Sequence, residues 1–285
     1  MRRLAGVRSI ALLSNPDSGS GDAETVAACL RSHGLEVKEF TLDQISEAFS
    51  KPPDQVVVAG GDGSLACVAA PAARAGIPLA VIPTGTANDF ARELGIPREP
   101  DEACELAAEG KELRRLDLGW MDERPFLNVA SLGLAPEAAE RATGLKSAIG
   151  PLAYGVGAVG AGLRGDPVHC VVRCDGSEVH SGEAWQVTVA CSGAFGAGAS
   201  IETDLADGKL DVVVIEAGSR ARLAVHAYGL RKGGIGEQEG VVKVRCASAE
   251  IDLEGMEPFN VDGELVDSGS CRFKVEPHPV EVVVG

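Results

Sequence analysis

The sequence predicts an α/β plus all-β protein: an N-terminal Rossmann-like domain of βαβ units, then a C-terminal antiparallel β-sandwich domain. Three observations lead there. The 285 residues are about twice the usual allotment of one domain, so two domains are expected. Up to about residue 120, short apolar runs alternate with helical patterns, as in a mainly parallel sheet. Beyond it the period shortens to closely spaced strands divided by turn signals, as in a sandwich. The expected domains are 1–120 and 121–285, with the boundary near Leu118 to Arg124.

Taken in order, Ser9 to Ser14 reads as a strand, followed by the loop Asn15-Pro16-Asp17-Ser18-Gly19-Ser20-Gly21. Asp22 can cap a helix from Ala23 to about Ser32, and Leu35 to Phe40 gives a second strand. Gln55 to Ala59 is a third, entering Gly60-Gly61-Asp62-Gly63-Ser64 and an alanine-rich helix that Pro71 should interrupt. Leu79 to Ile82 is a fourth, entering Pro83-Thr84-Gly85-Thr86 and a helix through Leu94. There Thr86 and Asp89 have the spacing of a capping box. A helical region over roughly Pro136 to Leu163 precedes the second domain's strands. Those strands are Val168 to Val172, Glu178 to Ser181, Trp185 to Cys191, Leu210 to Glu216, Val241 to Cys246, Glu250 to Leu253, Pro258 to Val261, Cys271 to Val275 and Val280 to Val284. Asp175-Gly176 between the first two is a hairpin signal.

Composition narrows the function. With 26 basic against 42 acidic residues the net charge is -16, and both halves are acidic, so a nucleic-acid partner is excluded as an expectation. The N-terminus lacks the apolar core of a signal peptide, and the longest apolar stretch, Ala148 to Leu163, falls short of a bilayer span. The eight cysteines are scattered without a Cys-x-x-Cys pair and read as free thiols of a cytoplasmic protein.

Three glycine-containing loops each follow a parallel strand, at the sheet end where ligands of α/β folds bind. Exposed amides and helix N-termini there favour phosphate, and glycine permits positive φ and close backbone approach. No Gly-Lys-Ser/Thr follows any of them, so none is a Walker loop. Asp62, between glycines, can reach a Mg²⁺ ion or a nucleophilic hydroxyl. The plainer alternative is three tight βα turns. In the second half, Asp262-Gly263-Glu264 reads as a hairpin turn that can also project Glu264 into a cleft.

Gly60-Gly61-Asp62-Gly63-Ser64, with Pro83-Thr84-Gly85-Thr86-Ala87-Asn88-Asp89-Phe90 following it, resembles the diacylglycerol kinase catalytic family, which includes sphingosine kinases and YegS-type bacterial lipid kinases. The Gly-Gly-Asp-Gly piece alone is shared with NAD kinases. Further matches run through nearly the whole chain: Asn15-Pro16-x-Ser18-Gly19, Phe126-x-Asn128, Lys146-x-x-x-Gly150-x-x-x-Tyr154, Asp204 to Asp211 and Val261-Asp262-Gly263-Glu264. Departures are Ser64 for threonine, Ala66-Cys67 for Asn-Glu, Ala197 within a glycine triplet, and Ser200 to Thr203 without the usual proline.

The resemblance implies a two-domain kinase with ATP and Mg²⁺ in an interdomain cleft and a lipid hydroxyl as acceptor. It places Asn15, Ser18, Thr41, Gly60, Gly61, Asp62, Gly63, Ser64, Leu65, Ala66, Gly85 and Thr86 at the nucleotide. Asp62 would serve phosphoryl transfer, Glu264 would accept the hydroxyl's proton, and Asp204, Asp207 and the Lys209 carbonyl would hold a metal. Little covalent work is needed, since phosphoryl transfer is mostly positioning and charge neutralisation. The rival readings are an NAD kinase and a non-catalytic nucleotide- or lipid-binding relative. A lipid acceptor implies transient peripheral membrane contact, for which Ala148 to Leu163 is the candidate segment; a homodimer stays open.

Overall fold

The structure is a computed structural model, and it describes residues 2–3, 9–15, 23–85, 88–110, 112–134, 166–192, 194–195, 199–200, 205–219 and 238–285. Two compact units form: Met1–Leu118 with Pro277–Gly285, and Gly119–Glu276. Where the sequence pattern suggests one crossing near residue 120, the chain crosses twice, because its last nine residues return to the first unit. The segment proposed for membrane contact and the helical pattern before it, 136–163, lie outside the described residues. Among the described residues no helix is long and apolar enough to cross a membrane.

In the first unit, β1 (Ser9–Ser14), α1 (Ala23–Ser32), β2 (Glu36–Thr41), α2 (Ile45–Ala48), β3 (Gln55–Gly60), α3 (Asp62–Ala75), β4 (Leu79–Pro83), α4 (Asp89–Glu93) and α5 (Pro100–Glu109) follow one another. The parallel sheet runs β2-β1-β3-β4, so neighbours of β1 lie on opposite sides and the strand order reverses there. Both faces of the sheet are covered, so β3 and β4 are buried along their whole length and apolar except for Gln55, whose side-chain amide donates to the Ala107 carbonyl at 2.9 Å. Ile10, Leu12, Val57, Ala80 and Ile82 pack with Val26, Leu30 and Ala103 of α1 and α5.

Pro71 does not end α3, which continues to Ala75 and closes on Gly76 in the left-handed conformation. Proline removes one N–H from the helical ladder, and the turn it faces carries the exposed Cys67, so the loss falls on the solvent side of the helix. Meanwhile Leu65, Val68, Ala69 and Ala72 hold the helix through burial.

The second unit begins within β5 (Glu112–Met121) and contains β6 (Arg124–Phe126), β7 (Val129–Gly133), β8 (Val168–Cys174), β9 (Ser177–Ala190), β10 (Leu210–Glu216), β11 (Val241–Cys246), β12 (Ser248–Leu253), β13 (Glu257–Val261), β14 (Glu264–Ser268) and most of β15 (Cys271–Val284). Pairing is antiparallel throughout. β9 turns the corner of the sandwich: Ser177–Ala184 pairs with β8, and Gln186–Ala190 lies between β7 and β10. A register shift between Ala184 and Gln186 lets one strand serve both layers. Between the layers Phe126, Phe259 and Phe273 pack with Val172, Val187, Val212 and Ile251.

Candidate functional site

The first group of residues sits in a row across the parallel sheet. Ser14 pairs with Thr41 on one side and Ala59 on the other, while Gly60 pairs with Pro83. Asn15, Thr41, Gly60-Gly61 and Thr84-Gly85 therefore leave the sheet at one level, at the carboxyl ends of its strands. Ser18 and Thr86 lie outside the described residues.

Glycine is required here by loop-on-loop contact. A Cβ on Gly85 would stand 2.5 Å from the Gly61 Cα and 2.7 Å from Asn88 Oδ1. One on Gly60 would stand 2.8 Å from the Ser64 Cβ. None of Gly60, Gly61, Gly63 or Gly85 adopts positive φ, so the expected conformational reason for glycine is replaced by a packing one. Gly63, Ser64, Leu65 and Ala66 form the first turn of α3, with Ser64, Leu65 and Ala66 buried. The first helical hydrogen bond runs from the Leu65 N–H to the Gly61 carbonyl at 3.1 Å, so the residues ahead of it form the N-terminal end of α3, the end of a helix that favours phosphate.

Asp62 ties the two glycine loops together. Its Oδ2 accepts the Asp89 N–H at 3.1 Å and its Oδ1 the Phe90 N–H at 2.9 Å, so a carboxylate from α3 caps α4. Asn88, not Thr86, is the residue preceding α4, and it takes the left-handed conformation at φ 48. Its side chain accepts the Gly85 N–H at 3.0 Å and donates to the Gly85 carbonyl at 2.7 Å. The motif at 83–90 is thus closed on itself by the Asn88 side chain and tied to the motif at 60–64 by the Asp62 side chain. Asp89 is buried and ion-paired with Arg92. Thr41 takes part in a local turn: its N–H donates to Gln44 Oε1 at 3.1 Å. A separate cavity of about 240 Å³, lined by residues including Ala72, Ile77, Arg115 and His278, lies at the far end of α3 from the glycine loops.

The second group is in the second unit. Asp262 (φ 48) and Gly263 (φ 91) form a two-residue hairpin turn, and Val261 pairs with Glu264 across it. The buried Asp262 carboxylate accepts three N–H groups, of Leu127 at 2.6 Å, Asn128 at 3.0 Å and Val129 at 2.8 Å. The Phe126-x-Asn128 and Asp262-Gly263-Glu264 segments are therefore one structural piece. Glu264 opens β14 half-exposed, with its Oε2 3.1 Å from Arg124 Nη1. The expected hairpin is present, and its turn sets Glu264 at the surface beside Arg124.

The acidic loop is described only from Leu205, so Asp204 lies outside the described residues. Asp207 is ion-paired with Arg245 and accepts the Lys209 N–H at 2.9 Å. Arg245 also reaches Asp211, a carboxylate that burial pushes above its usual range. Among the described residues no three acidic, histidine or cysteine side chains converge as a metal cluster. One carboxylate and one carbonyl, the first already neutralised by a guanidinium, do not on their own make a cation site.

Sequence reasoning missed the roles of Asn88, Asp262 and Arg124. Asn88 carries a local signal, since asparagine after a Gly-Thr turn tolerates the left-handed region. The other two carry none, because their partners are more than a hundred residues away.

Two family models match the chain. The diacylglycerol kinase catalytic domain covers residues 9–121, and the YegS C-terminal NAD kinase beta sandwich-like domain covers 128–284. A Pseudomonas aeruginosa protein named "Probable lipid kinase YegS-like" is 31% identical over 95% of this chain and 92% of its own length. A diacylglycerol kinase of Mycobacterium tuberculosis is 26% identical over 97% of this chain and 95% of its own. The fold is shared with a diacylglycerol kinase structure from Bacillus anthracis (TM-score 0.72, 20% identity, 99% of this chain and 98% of that one). It is shared more distantly with an Archaeoglobus fulgidus NAD kinase (TM-score 0.52, 16% identity, 96% and 93%). The chain belongs to the YegS-like lipid kinases, a diacylglycerol kinase catalytic domain joined to the YegS-type β-sandwich, and it is a kinase.

Proposed function

We propose that this lipid kinase transfers the γ-phosphate of ATP to the hydroxyl of a diacylglycerol-like lipid. The observation that carries the reading is the pairing of Gly60-Gly61 with Gly85 through Asp62 and Asn88. It packs two glycine loops backbone against backbone at the carboxyl end of the sheet, where small residues allow a phosphate close approach. Triphosphate binds along the loops after β1, β3 and β4. The Asp62 carboxylate accepts the Asp89 and Phe90 N–H groups, and its hard, anionic oxygens are of the chemistry that suits Mg²⁺ brought in with the nucleotide. That ion would neutralise phosphate charge, which matters in a chain of charge -16. Glu264, set by the hairpin and paired with Arg124, accepts the acceptor hydroxyl's proton as the oxygen attacks phosphorus. The acceptor is reached by transient contact with a bilayer surface, and the protein works in the cytoplasm.

The test is transfer of labelled γ-phosphate from ATP to a panel of lipid alcohols and to NAD, with products identified by mass spectrometry. A phosphorylated lipid is expected. Glu264→Gln should fold and bind ATP yet lose about 10²–10⁴ in turnover, the range of a general base. Near-normal turnover would leave Glu264 a turn residue and move the proton to Asp62. Transfer to NAD alone, or ATP binding with no transfer, would overturn the lipid-kinase assignment of the acceptor.

A further inference from the structure

The first unit holds a cavity that the chemistry above does not use. Its volume is about 240 Å³, and every residue lining it belongs to that unit. The apolar wall is Ala72 and Ile77, at the C-terminal end of α3, with Pro279 of β15. The polar wall is Arg115 of β5 with His278 and Glu281 of β15. The last turn of α3 is closed, since the Ala72 and Ala73 carbonyls accept the N–H groups of Ile77 and Gly76 at 3.0 and 3.1 Å.

Two carboxylate–nitrogen pairs build the polar wall, and both are ordered alike. Arg115 Nε and Nη2 donate to Glu281 Oε1 at 2.9 and 2.8 Å. The Glu281 side chain is 11% exposed and that of Arg115 61%. The His278 backbone N–H donates to Asp117 Oδ1 at 2.9 Å, and the ring Nδ1 lies 3.3 Å from the same oxygen. The Asp117 side chain is 0% exposed and that of His278 45%. In each pair the carboxylate is the inner member and the nitrogen group the outer one. Among the described residues Arg115 Nη1 and His278 Nε2 have no hydrogen-bond partner.

His278 is also held in an uncommon backbone conformation. Its φ of 57 lies in the left-handed region, between Pro277 and Pro279, and the hydrogen bond to Asp117 keeps it there. A buried carboxylate and two prolines thus fix one imidazole at the rim of one cavity. Residues held in sparsely populated backbone regions gather at ligand sites.

We propose that this cavity is an anion site for the phosphate monoester of a short alcohol, apart from the glycine loops and independent of which lipid is the acceptor. The edge of the Arg115 guanidinium not spent on Glu281 donates to phosphate oxygens, and His278 in its imidazolium form donates from Nε2 while Nδ1 stays beside Asp117. The volume is below the ~300–1,000 Å³ of a drug-sized pocket, which excludes a nucleotide or an acyl chain. It leaves room for the few carbons of a short alcohol against Ala72, Ile77 and Pro279.

The test titrates the full chain with glycerol 3-phosphate at constant ionic strength, following backbone amides by NMR and affinity by calorimetry. Expected are saturable shifts at Gly76, Ile77, Arg115 and His278, with a single site per chain. Arg115→Lys keeps a charge opposite Glu281 but loses the guanidinium's fork of donors. His278→Asn keeps the backbone N–H and tolerates the left-handed region. Each should weaken binding about tenfold or more. Inorganic phosphate should move the same amides with lower affinity, since it leaves the apolar wall uncovered; affinity equal to the ester's overturns the ester assignment. No saturable shift at these residues up to about 10 mM, shifts confined to Gly60–Ser64, or wild-type affinity in both variants overturns the site itself. The wild-type map decides even if a variant fails to fold.

Discussion

Replacing Asp62 separates its structural role from any chemical one. Asp62 spends one oxygen on each of two helix-terminal amides, Asp89 and Phe90, whose residues are buried. Removing a helix cap costs about 0.5–2 kcal/mol, and hydrogen bonds to a charged group contribute about 1.5–3 kcal/mol each. Asp62 is part-buried and α4 is short, so water can rehydrate one of the two amides; Asp62→Ala should therefore cost about 2 kcal/mol. Asp62→Asn keeps one acceptor but loses the charge and should cost about 1 kcal/mol. A loss of about 2 kcal/mol is roughly thirtyfold in a local opening equilibrium. Hydrogen exchange resolved to the 88–94 segment is the assay. It should show that loss of protection at Asp89 and Phe90 in Asp62→Ala and a smaller one in Asp62→Asn, with β10 and β13 unchanged. Wild-type protection at both amides in Asp62→Ala would refute the capping argument and return Asp62 to a purely chemical part.

Two further outcomes follow from the geometry of the loops and turns. Gly85→Ala should weaken ATP binding more than Gly61→Ala, because its Cβ would meet Gly61 Cα at 2.5 Å, against 3.3 Å from Gly85 Cα for the reverse change. Calorimetric titration should find about a tenfold difference, and equal affinities would mean the loops can part freely. Asp175 is held below the usual carboxylate range, first by the Ser248 N–H and then by its other amide and hydroxyl partners. A depressed folded value means its contribution is complete above the unfolded value near ~3.9 and is lost as pH falls through the folded one. The stability gap between wild type and Asp175→Asn, read from urea midpoints, should therefore narrow as pH falls from about 5 to about 3. A gap of constant size would show that the carboxylate's charge contributes nothing.

Much of the first unit was legible because its signals are local. β1, β3 and β4 are mainly apolar runs with buried centres, β3 closed by glycine and β4 by proline, so their bounds match the sequence pattern to within a residue. Where a boundary depends on a distant partner, the pattern misleads. β9 reads as two strands split near Gly182, and β15 as two split by Pro277 and Pro279. Each is continuous because its partner changes along its length, from β8 to β7 and β10 in one case and from β12 to β4 in the other. β14 was read only as the end of a turn, since its half-exposed residues lack a strong alternation.

The sequence by itself determined the order of domains, the kinase family and the glycine loops, since these reside in contiguous runs whose chemistry does not depend on what they touch. Only the tertiary structure decided what the acidic residues within the motifs do. Asp62, Asp207 and Asp262 all read as candidate ligands or turn formers. Folded, Asp62 caps α4, Asp207 pairs with Arg245, and Asp262 gathers the amides of Leu127, Asn128 and Val129. The same carboxylate can bind a cation, a guanidinium or an N–H group. Which it meets is set by chain segments up to 135 residues away, and no local pattern encodes that meeting.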